Sequence, residues 1–333
     1  MTSKPVHTLT ADRGDAGRRL DLVLRRHLTG IEAATRTRVQ AWIANGLVSV
    51  NGTPVHRVAA RTALGDVVTV ALPADSTAAP RAPMGAEAVR IDVLYEDDDL
   101  LAIEKAAGVV VHPTHGHRSG TVMNALLWHA RQWPAGQRPS LVSRLDKLTS
   151  GILVVAKTAS VHAALQRAPI EKDYLAVVYG RVNAASGRID LRLGRDRDDR
   201  RRVVASADAG APSLTRFERL ARVAAPRAGL SLLRCRLVTG RTHQIRVHLA
   251  ARGWPIVGDP VYGEPRWARV KDPTLAAALR EFPRQALHAW RIALIHPVTR
   301  ARLSLEASVP PDIEELLSVS GLAPGVRPGA LRT

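Results

Sequence analysis

Residues 143–157 read Ser-Arg-Leu-Asp-Lys-Leu-Thr-Ser-Gly-Ile-Leu-Val-Val-Ala-Lys, a short polar loop followed by an apolar run. Within the loop, Arg144 and Asp146 stand two residues apart, just before the strand-like segment 152–156. Loops held by a rigid scaffold often carry binding and catalytic groups, so the pattern is typical of a carboxylate presented at a sheet edge. Taken alone, the pattern also fits a surface loop with an Arg–Asp ion pair. The choice between these two interpretations depends on the rest of the chain.

The segment 90–315 around this loop is long enough to bury a core of its own. Several neighbouring strand-like runs have no helical pattern between them, which argues against a regular βαβ sheet. We therefore predict an α+β domain with a mixed, mainly antiparallel sheet. The predicted strands are 91–95, 100–104, 152–156, 174–179, 230–238, 286–294 and 302–307, and the predicted helices are 121–132, 160–171, 242–252 and 272–281.

Residues 13–72 are interpreted as a separate small module of two helices and a hairpin. Apolar residues recur there at helical spacing in two stretches, and Thr35 is predicted to cap the second helix. The dipeptide Asn51-Gly52 predicts a tight hairpin turn, because both residue types tolerate positive φ. The apolar helical positions are Leu20, Val23, Leu24 and Leu28 in the first helix and Val39, Trp42 and Ile43 in the second.

The order of these pieces resembles the S-four RNA-binding domain, first described in a ribosomal small-subunit protein. The matching pieces are Arg19-Leu20-Asp21, 36–43, Gly46, Val48, Val50-Asn51-Gly52 and Gly65-Asp66. The module holds nine Arg against four acidic residues, a net charge of +5. The predicted RNA-binding residues are Arg18, Arg19, Arg36 and Arg38. The last two open the second helix, where the helix dipole favours phosphate.

The whole chain is strongly basic. Its 333 residues include 48 Lys and Arg against 30 Asp and Glu, a formal net charge of +18 with a sequence pI near 11.3. Such a charge is the usual electrostatic footprint of nucleic-acid binding, because Lys and Arg side chains release counterions from phosphate polymers. The alternative is a basic proteome that favours Arg and Ala, in which both residues are frequent without a nucleic-acid partner.

Composition excludes several other classes. A hydrophobic fraction of 46% argues against disorder throughout, and one cysteine, Cys235, excludes a disulfide framework. No run reaches the roughly 18 apolar residues of a membrane span, and the N-terminus lacks an apolar signal core, so we expect no membrane association and a cytoplasmic location. The Pro- and Ala-rich segment 73–89 is interpreted as a linker, and 316–333 as a flexible tail.

No usual nucleotide or metal motif is present. The sequence lacks a Walker loop, a dinucleotide-type glycine-rich turn and a HExxH helix. His112, His115 and His117 lie close together, but no convincing fourth ligand is nearby, and we expect no metal site. The mixed charge run 195–202 is either a solvated loop or an arm that contacts an RNA backbone.

With its neighbours, the loop at 143–151 resembles the signature loop of the RluA-type pseudouridine synthases. The loop residues that match are Arg144-Leu145-Asp146 and Thr149-Ser150-Gly151, whereas Ser143 stands where the family usually has His. Further family-like pieces follow in the expected order over about residues 90–300. They are Gly108-Val-Val-Val-His112-Pro113, Gly120-Thr-Val-Met-Asn124-Ala-Leu-Leu127, Lys172-Asp173-Tyr174-Leu175-Ala176-Val-Val-Tyr-Gly180, Gly240-Arg241-Thr242-His243-Gln244-Ile245-Arg246-Val247-His248, Gly258-Asp259-Pro-Val-Tyr262-Gly263 and Leu287-His288-Ala289.

The resemblance implies isomerisation of uridine to pseudouridine in RNA, which needs neither a metal nor a redox cofactor. It makes Asp146 the nucleophile, attacking either ribose C1′ or the pyrimidine ring. Arg246 matches the arginine that pairs with this carboxylate, and Tyr174 matches a tyrosine that stacks on the uracil and helps remove the C5 proton. Arg144 matches the residue that replaces the extruded uridine in the helical stack. Ser143 and Thr149 complete the predicted loop site.

The resemblance leaves the RNA open. Large-subunit ribosomal RNA fits the arrangement of an RNA-binding module before a catalytic domain, whereas the same chemistry on transfer RNA is a second interpretation. A non-catalytic RNA-binding factor in ribosome assembly is a third, although such a protein has no reason to keep Asp146, Tyr174 and Arg246 together. We expect a monomer, because that is the default for this family.

Overall fold

The structure is a computed structural model that describes residues 6–28, 31, 34–72, 85–113, 119–196, 198–199, 202–223, 229–264 and 266–322. The chain divides into two compact units, Met1–Met84 and Gly85–Thr333. Among the described residues, no helix is both long and apolar enough to cross a membrane.

The first unit packs two helices against a four-stranded sheet of order β1-β4-β2-β3. Its elements are β1 (Val6–Thr10), α1 (Leu20–His27), α2 (Arg36–Ala44), β2 (Val48–Val50), β3 (Thr53–Pro54) and β4 (Val67–Ala71). Thr35 caps α2 by accepting a hydrogen bond from the Arg38 N–H at 3.4 Å, which confirms the predicted cap. Asn51 and Gly52 have φ of 51° and 79°, as the predicted turn requires. The first strand lies before residue 13, so the predicted module starts too late.

The second unit has one large sheet and five α-helices among its described residues. The first half contains β5 (Asp92–Glu96), β6 (Leu100–Lys105), α3 (Val122–His129), β7 (Ser140–Leu141), β8 (Ser150–Ala156), α4 (Ala159–Arg167) and β9 (Ile170–Tyr179). The second half contains β10 (Ser186–Arg195), β11 (Val203–Ser206), β12 (Ala211–Val223), β13 (Leu230–Leu237), α5 (Gln244–Ala251), α6 (Pro273–Glu281), β14 (Leu287–Ile295), β15 (Arg302–Glu306) and α7 (Pro311–Val319).

Eleven described strands form this sheet, in the order β11-β10-β12-β13-β9-β14-β8-β6-β5, with β15 beside β14 and β7 beside β8. Every described pairing is antiparallel except that of β14 with β8, which is parallel. The predicted mixed, mainly antiparallel α+β fold is therefore confirmed. The central strand β9 is buried from Asp173 to Tyr179, and two hydrophobic clusters pack against the sheet.

Four details of the sequence interpretation are wrong. The helix predicted at 160–171 ends at Arg167, because Pro169 cannot continue it and β9 begins at Ile170. Strands β10 to β12 were not predicted, because charged residues interrupt the apolar ones in β10 and β12, and β11 is only four residues long. The predicted tail at 316–333 contains the end of α7, and Leu322 is fully buried; residues 323–333 lie outside the described part.

The fourth correction concerns the predicted linker 73–89. Residues 73–84 lie outside the described part of the chain, but 85–89 belong to the second unit and are hydrogen-bonded there. The Asn124 side chain donates to the Gly85 carbonyl at 2.7 Å, and Glu87 accepts from the Gly120 N–H at 2.9 Å. These contacts hold the segment against the start of α3.

Candidate active site

The loop that carries Asp146 lies between β7 and β8 and is held through its backbone. The Thr149 N–H donates to the Asp146 carbonyl at 3.0 Å, and the Gly108 N–H donates to the Lys147 carbonyl at 2.8 Å. The buried Gln285 amide donates to Thr149 Oγ1 at 3.1 Å. Groups from two distant parts of the sequence, Gly108 and Gln285, therefore help to hold the loop that carries Asp146.

A buried lysine at the end of β6 supports the same loop. The Lys105 ammonium donates to the carbonyls of Ala106, Val109 and Lys147 at 2.7, 3.0 and 3.0 Å. Burial lowers the pKa of Lys105 to about 7, while the charge of Asp146 opposes this shift. Three carbonyl acceptors match the three hydrogens of a charged ammonium, so the contacts favour the protonated form.

The entry of the loop into β8 requires glycine. Ser150 and Gly151 pair in parallel with His288 and Ala289 on β14. Gly151 has φ of 114°, and a Cβ atom at this position would collide with the Ala289 carbonyl oxygen. A residue with a side chain would therefore be strained in its own backbone and would push β8 away from β14.

Arg246 on α5 contacts two carboxylates at once. Its Nη1 donates to Asp146 Oδ2 at 2.9 Å, and its Nε and Nη2 donate to the two oxygens of Asp259 at 2.7 and 2.8 Å. Burial opposes the charged form, but the two carboxylates raise the pKa of Arg246. The side chain of Asp146 is 27% exposed, whereas those of Arg246 and Asp259 are 5% and 0% exposed.

Asp259 is held more completely than Asp146. Besides both bonds from Arg246, its Oδ1 accepts from the backbone N–H groups of Val261 and Tyr262 at 2.9 and 3.0 Å. Burial alone would raise the pKa of Asp259, but these hydrogen bonds and the charge of Arg246 lower it. Asp259 therefore orients the guanidinium that faces Asp146.

Helix α5 begins at an unusual backbone turn. His243, the residue before it, has φ of 55°, in the left-handed region. The buried Gln244 amide compensates by bonding to four groups around the turn. It accepts from Thr239 Oγ1 and the Arg241 N–H, and it donates to the Leu214 carbonyl and Thr215 Oγ1, at 2.8 to 3.0 Å. This network fixes the end of the helix nearest Asp146.

One cavity of about 360 Å³ brings the predicted loop and catalytic residues together. Its volume is at the lower end of the range of small-ligand sites, and it opens on both Asp146 and Tyr174. Burial and the charge of Asp146 raise the pKa of Tyr174, so its phenol stays protonated at neutral pH. The predicted site residues that line this cavity are Ser143, Arg144, Asp146, Thr149, Tyr174 and Arg246.

His243 connects the same cavity to Tyr262. Its Nδ1 lies 2.9 Å from the Tyr262 hydroxyl, which accepts from the Val203 N–H at 2.9 Å. The phenolic hydrogen is therefore best placed on the bond to Nδ1, which leaves the neutral ring with its hydrogen on Nε2. That nitrogen lies 3.9 Å from Asp146 Oδ1, and burial lowers the pKa of His243. The ring offers Asp146 an uncharged donor just beyond hydrogen-bonding distance.

The two other loop residues differ in their contacts. Arg144 is exposed and donates from Nη2 to Thr242 Oγ1 at 2.9 Å, so a neutral partner holds its guanidinium at the cavity edge. Ser143 is half-buried, and its hydroxyl has no hydrogen bond within the described part of the chain. Replacement of Ser143 would therefore break no contact that the structure gives.

The four predicted RNA-binding arginines lie in the first unit. Arg18, Arg36 and Arg38 are exposed. Arg19 instead forms two hydrogen bonds of 3.0 Å with the buried Asp21, which ties its guanidinium to α1. We therefore keep the prediction of RNA contact for all four, with Arg19 as the one already engaged in the fold.

The three histidines that were weighed as metal ligands, and for which no metal site is expected, are only partly described. His115 and His117 lie outside the described residues, while His112 lines a cavity of about 420 Å³ beside Asp146. Elsewhere, Asp97, Asp99 and His296 converge, but His296 Nδ1 accepts from two backbone N–H groups at 3.3 and 3.1 Å. Its hydrogen then sits on Nε2, which leaves that nitrogen no lone pair for an ion. Asp12, Asp15 and His27 also converge, and Arg26 donates to both carboxylates there.

Several residues of the site were not predicted as functional. His243 and Asp259 were named only as parts of family-like pieces, and Gln285 and Lys105 were assigned no role. Asp259 stands in a quoted family-like piece, so the pattern Gly258-Asp259 was the available signal. Lys105 ends an apolar run, and nothing in the sequence separates it from a surface lysine.

The comparisons with known proteins agree with this geometry. Residues 99–251 match the family model for RNA pseudouridylate synthase. The chain is 40% identical over 290 residues to ribosomal large subunit pseudouridine synthase D of Pseudomonas aeruginosa, covering 86% of this chain and 87% of that protein. It is also 40% identical over 316 residues to the protein of the same name from Nitrosomonas europaea, covering 93% and 86%.

A solved structure shows the same fold at lower identity. Human RNA pseudouridylate synthase domain containing 4 superposes with a TM-score of 0.55 at 22% identity, covering 69% of this chain and 93% of that one. Sequence identity, coverage and the family match lead to one assignment. The chain belongs to the RluA-type family of RNA pseudouridine synthases and is an enzyme of that class.

Proposed function

We propose that this enzyme converts uridines of large-subunit ribosomal RNA to pseudouridine with Asp146 as the nucleophile. The observation that carries the proposal is the contact between Asp146 and Arg246 in the cavity that also exposes Tyr174. Two relatives of 40% identity bear the name of a large-subunit enzyme, which supports this choice of RNA.

Asp146 has the features that a carboxylate nucleophile needs. Arg246 holds one of its oxygens and leaves the other, Oδ1, open to the cavity with only His243 nearby at 3.9 Å. In the proposed reaction, the carboxylate adds to ribose C1′ or to the pyrimidine ring, and the N1–C1′ bond breaks. The uracil then turns and C5 bonds to C1′. The bond that the carboxylate made to C1′ or to the ring breaks, C5 loses its proton, and N1 gains one.

Tyr174 is proposed to stack on the uracil and to help remove the C5 proton. Its raised pKa means that it enters as a neutral phenol, which can accept this proton only while it passes its own to a base. The released carboxylate of Asp146 lines the same cavity and is the base we propose. The C5 proton thus leaves through the phenol oxygen without forming a free phenolate.

Arg144 is proposed to occupy the place of the extruded uridine in the RNA stack. Its guanidinium is exposed, and its hydrogen-bond partner among the described residues is the neutral Thr242 hydroxyl, so it can exchange partners at small cost. Extrusion of a base costs a few kcal/mol, and stacking by a planar cation offsets part of this cost.

The first unit is proposed to add affinity for RNA through Arg18, Arg19, Arg36 and Arg38. Phosphate contacts of this kind make binding depend steeply on salt. A fragment of residues 85–333 should bind structured RNA more weakly than the full chain and with a flatter salt dependence, while it still converts short substrates slowly. Equal affinity and equal salt dependence of the fragment and the full chain would contradict this role.

The target is tested with RNA labelled with tritium at uridine C5. In-vitro transcripts of large-subunit ribosomal RNA and of a set of transfer RNAs are incubated with the enzyme, and released tritium is counted. We expect release from the ribosomal transcript, at positions confirmed by pseudouridine mapping. Release from transfer RNA alone would reject the proposed target, and binding without release from either RNA would favour an assembly factor.

A further inference from the structure

A half-buried cation of the active-site cavity, Lys172, has no hydrogen-bond or ion-pair partner among the described residues. Lys172 lies on β9 two residues before Tyr174, so both side chains point to the same face of the sheet, roughly 7 Å apart along the strand. The side chain is half-buried, and it forms no hydrogen bond or ion pair with any described group. Burial lowers the pKa of Lys172, and no neighbouring charge opposes this shift.

The other buried cations of this unit are matched. Lys105 donates to three carbonyls, and Arg246 contacts two carboxylates. Arg284 forms two bonds with Asp312, at 2.6 and 2.8 Å. Burying a charge without a partner destabilises a fold, so unpaired buried cations are rare and are typical of binding sites. Lys172 therefore differs from the three buried cations above, each of which has hydrogen-bond or ion-pair partners.

Lys172 also stands where two cavities meet. The active-site cavity of about 360 Å³ and a second cavity of about 370 Å³ share it as a lining residue, together with Val142, Gln166 and Leu237. An extended polynucleotide that places one base beside Tyr174 can therefore continue past Lys172 into the second cavity.

We propose that Lys172 binds the RNA phosphodiester group adjacent to the target uridine. The inference rests on the proposed function and adds to it a phosphate subsite. The phosphates of an extruded nucleotide lie about one sugar ring from C1′, and Lys172 lines the same cavity as Tyr174 from the alternate position on β9. A phosphate oxygen supplies the acceptor and the negative charge that none of the described residues gives to Lys172, so bound RNA would provide the partner of the ammonium.

The test combines a variant with a neutralised phosphate. The substrate is the shortest ribosomal stem–loop that the wild type converts, made with methylphosphonate at the phosphate 5′ or 3′ of the target uridine. For the wild type, one of these substitutions should lower kcat/KM about tenfold or more. Lys172→Gln should show a similar loss on the natural RNA and little further loss on that methylphosphonate RNA, because the same contact has already gone.

Three controls keep the outcome interpretable. Lys271→Gln removes an exposed lysine of the same unit and should match the wild type. Lys172→Arg should keep most of the activity, since it keeps the charge. Lys172→Met should leave Tm equal or higher without RNA, because it removes an unpaired charge; a large fall in Tm would show a structural partner and overturn the proposal.

The results separate this proposal from the function on which it rests. No conversion of any RNA by the wild type would reject the function itself. An active wild type with an equally active Lys172→Gln variant would reject only the phosphate subsite. Methylphosphonate losses of the same size in both proteins would also reject it, because Lys172 would then contact another group.

Discussion

Two carboxylates contact the same guanidinium in this enzyme, and they are held very differently. Asp259 is fully buried and accepts four hydrogen bonds, two from Arg246 and two from backbone N–H groups. Asp146 is 27% exposed and accepts one, from the remaining nitrogen of Arg246. A carboxylate whose lone pairs are all used is an anchor, whereas one with an open oxygen facing a cavity can react. This difference supports the proposal that Asp146, and not Asp259, is the carboxylate that reacts.

The largest expected effect comes from Asp146→Asn. The amide keeps the shape but is a poor nucleophile, so tritium release should fall by several orders of magnitude. RNA binding and Tm should change little, because Arg246 keeps Asp259 and the basic surface is untouched. The measurements are tritium release, filter binding at fixed salt and thermal unfolding. Release near the wild-type rate would show that Asp146 is not the nucleophile.

Asp259→Asn should mainly lower the stability of the protein, whereas Asp146→Asn should mainly lower its activity. It leaves the buried Arg246 with a single anionic partner, and breaking a buried pair of this kind costs about 3–5 kcal/mol of unfolding free energy. Activity should fall as well, because the guanidinium loses its orientation. Denaturant unfolding and tritium release check both. A variant with the unfolding free energy of the wild type would mean that Asp259 is not the anchor.

The pH dependence of stability sharpens the same test. The pKa of Asp259 is lowered on folding, so its stabilising contribution is complete above about pH 4, the ordinary range of an Asp side chain. The contribution is lost as the pH falls through the folded pKa. The gap in unfolding free energy between the wild type and Asp259→Asn should therefore narrow in acid, and a gap that widened there would contradict this linkage.

A smaller effect is expected from the open oxygen of Asp146. His243 offers it an Nε2–H group 3.9 Å away, too long for a hydrogen bond in the free enzyme. If the contact closes in the reaction, His243→Phe should lower kcat by about tenfold, the value of one hydrogen bond to a charged group. His243→Gln keeps a donor and should lose less. Equal losses in both variants, or none, would remove His243 from the reaction.

The smallest effect belongs to Ser143→Ala. Ser143 is beside Arg144 in the loop, but its hydroxyl contacts no described group, so removal should change kcat/KM about twofold or less and stability by under about 0.5 kcal/mol. Steady-state kinetics and thermal unfolding measure both. Complete loss of activity would assign Ser143 a role that its contacts do not suggest.

The sequence alone predicted those parts of the site that stand in a short, recognisable motif. Asp146 stands in a recognisable loop, and the apolar strand after it predicts where that loop ends. Arg246 and Tyr174 were found through the order of family-like pieces. Strands such as β12 were missed because three arginines and a glutamate interrupt its apolar residues, and the pairing of a strand with its neighbours is a tertiary property.

The supporting contacts could not be predicted because they join residues far apart in the chain. Lys105 and Lys147 are bonded across 42 residues, and Asp146 and Arg246 across 100. A buried lysine and an exposed one look alike in sequence until the acceptors around them are known. The same reasoning explains why Lys172 was quoted only as part of a family-like piece, although its lack of a partner sets it apart.

The parallel pairing of β8 with β14 has a consequence for biosynthesis. Ser150 meets His288 across 138 residues, so this edge of the site forms only after β14 has left the ribosome. A nascent chain that ends before residue 287 carries the complete 143–151 loop without the strand that anchors it. The 143–151 loop is therefore expected to reach its final position only after β14 (Leu287–Ile295) has been synthesised.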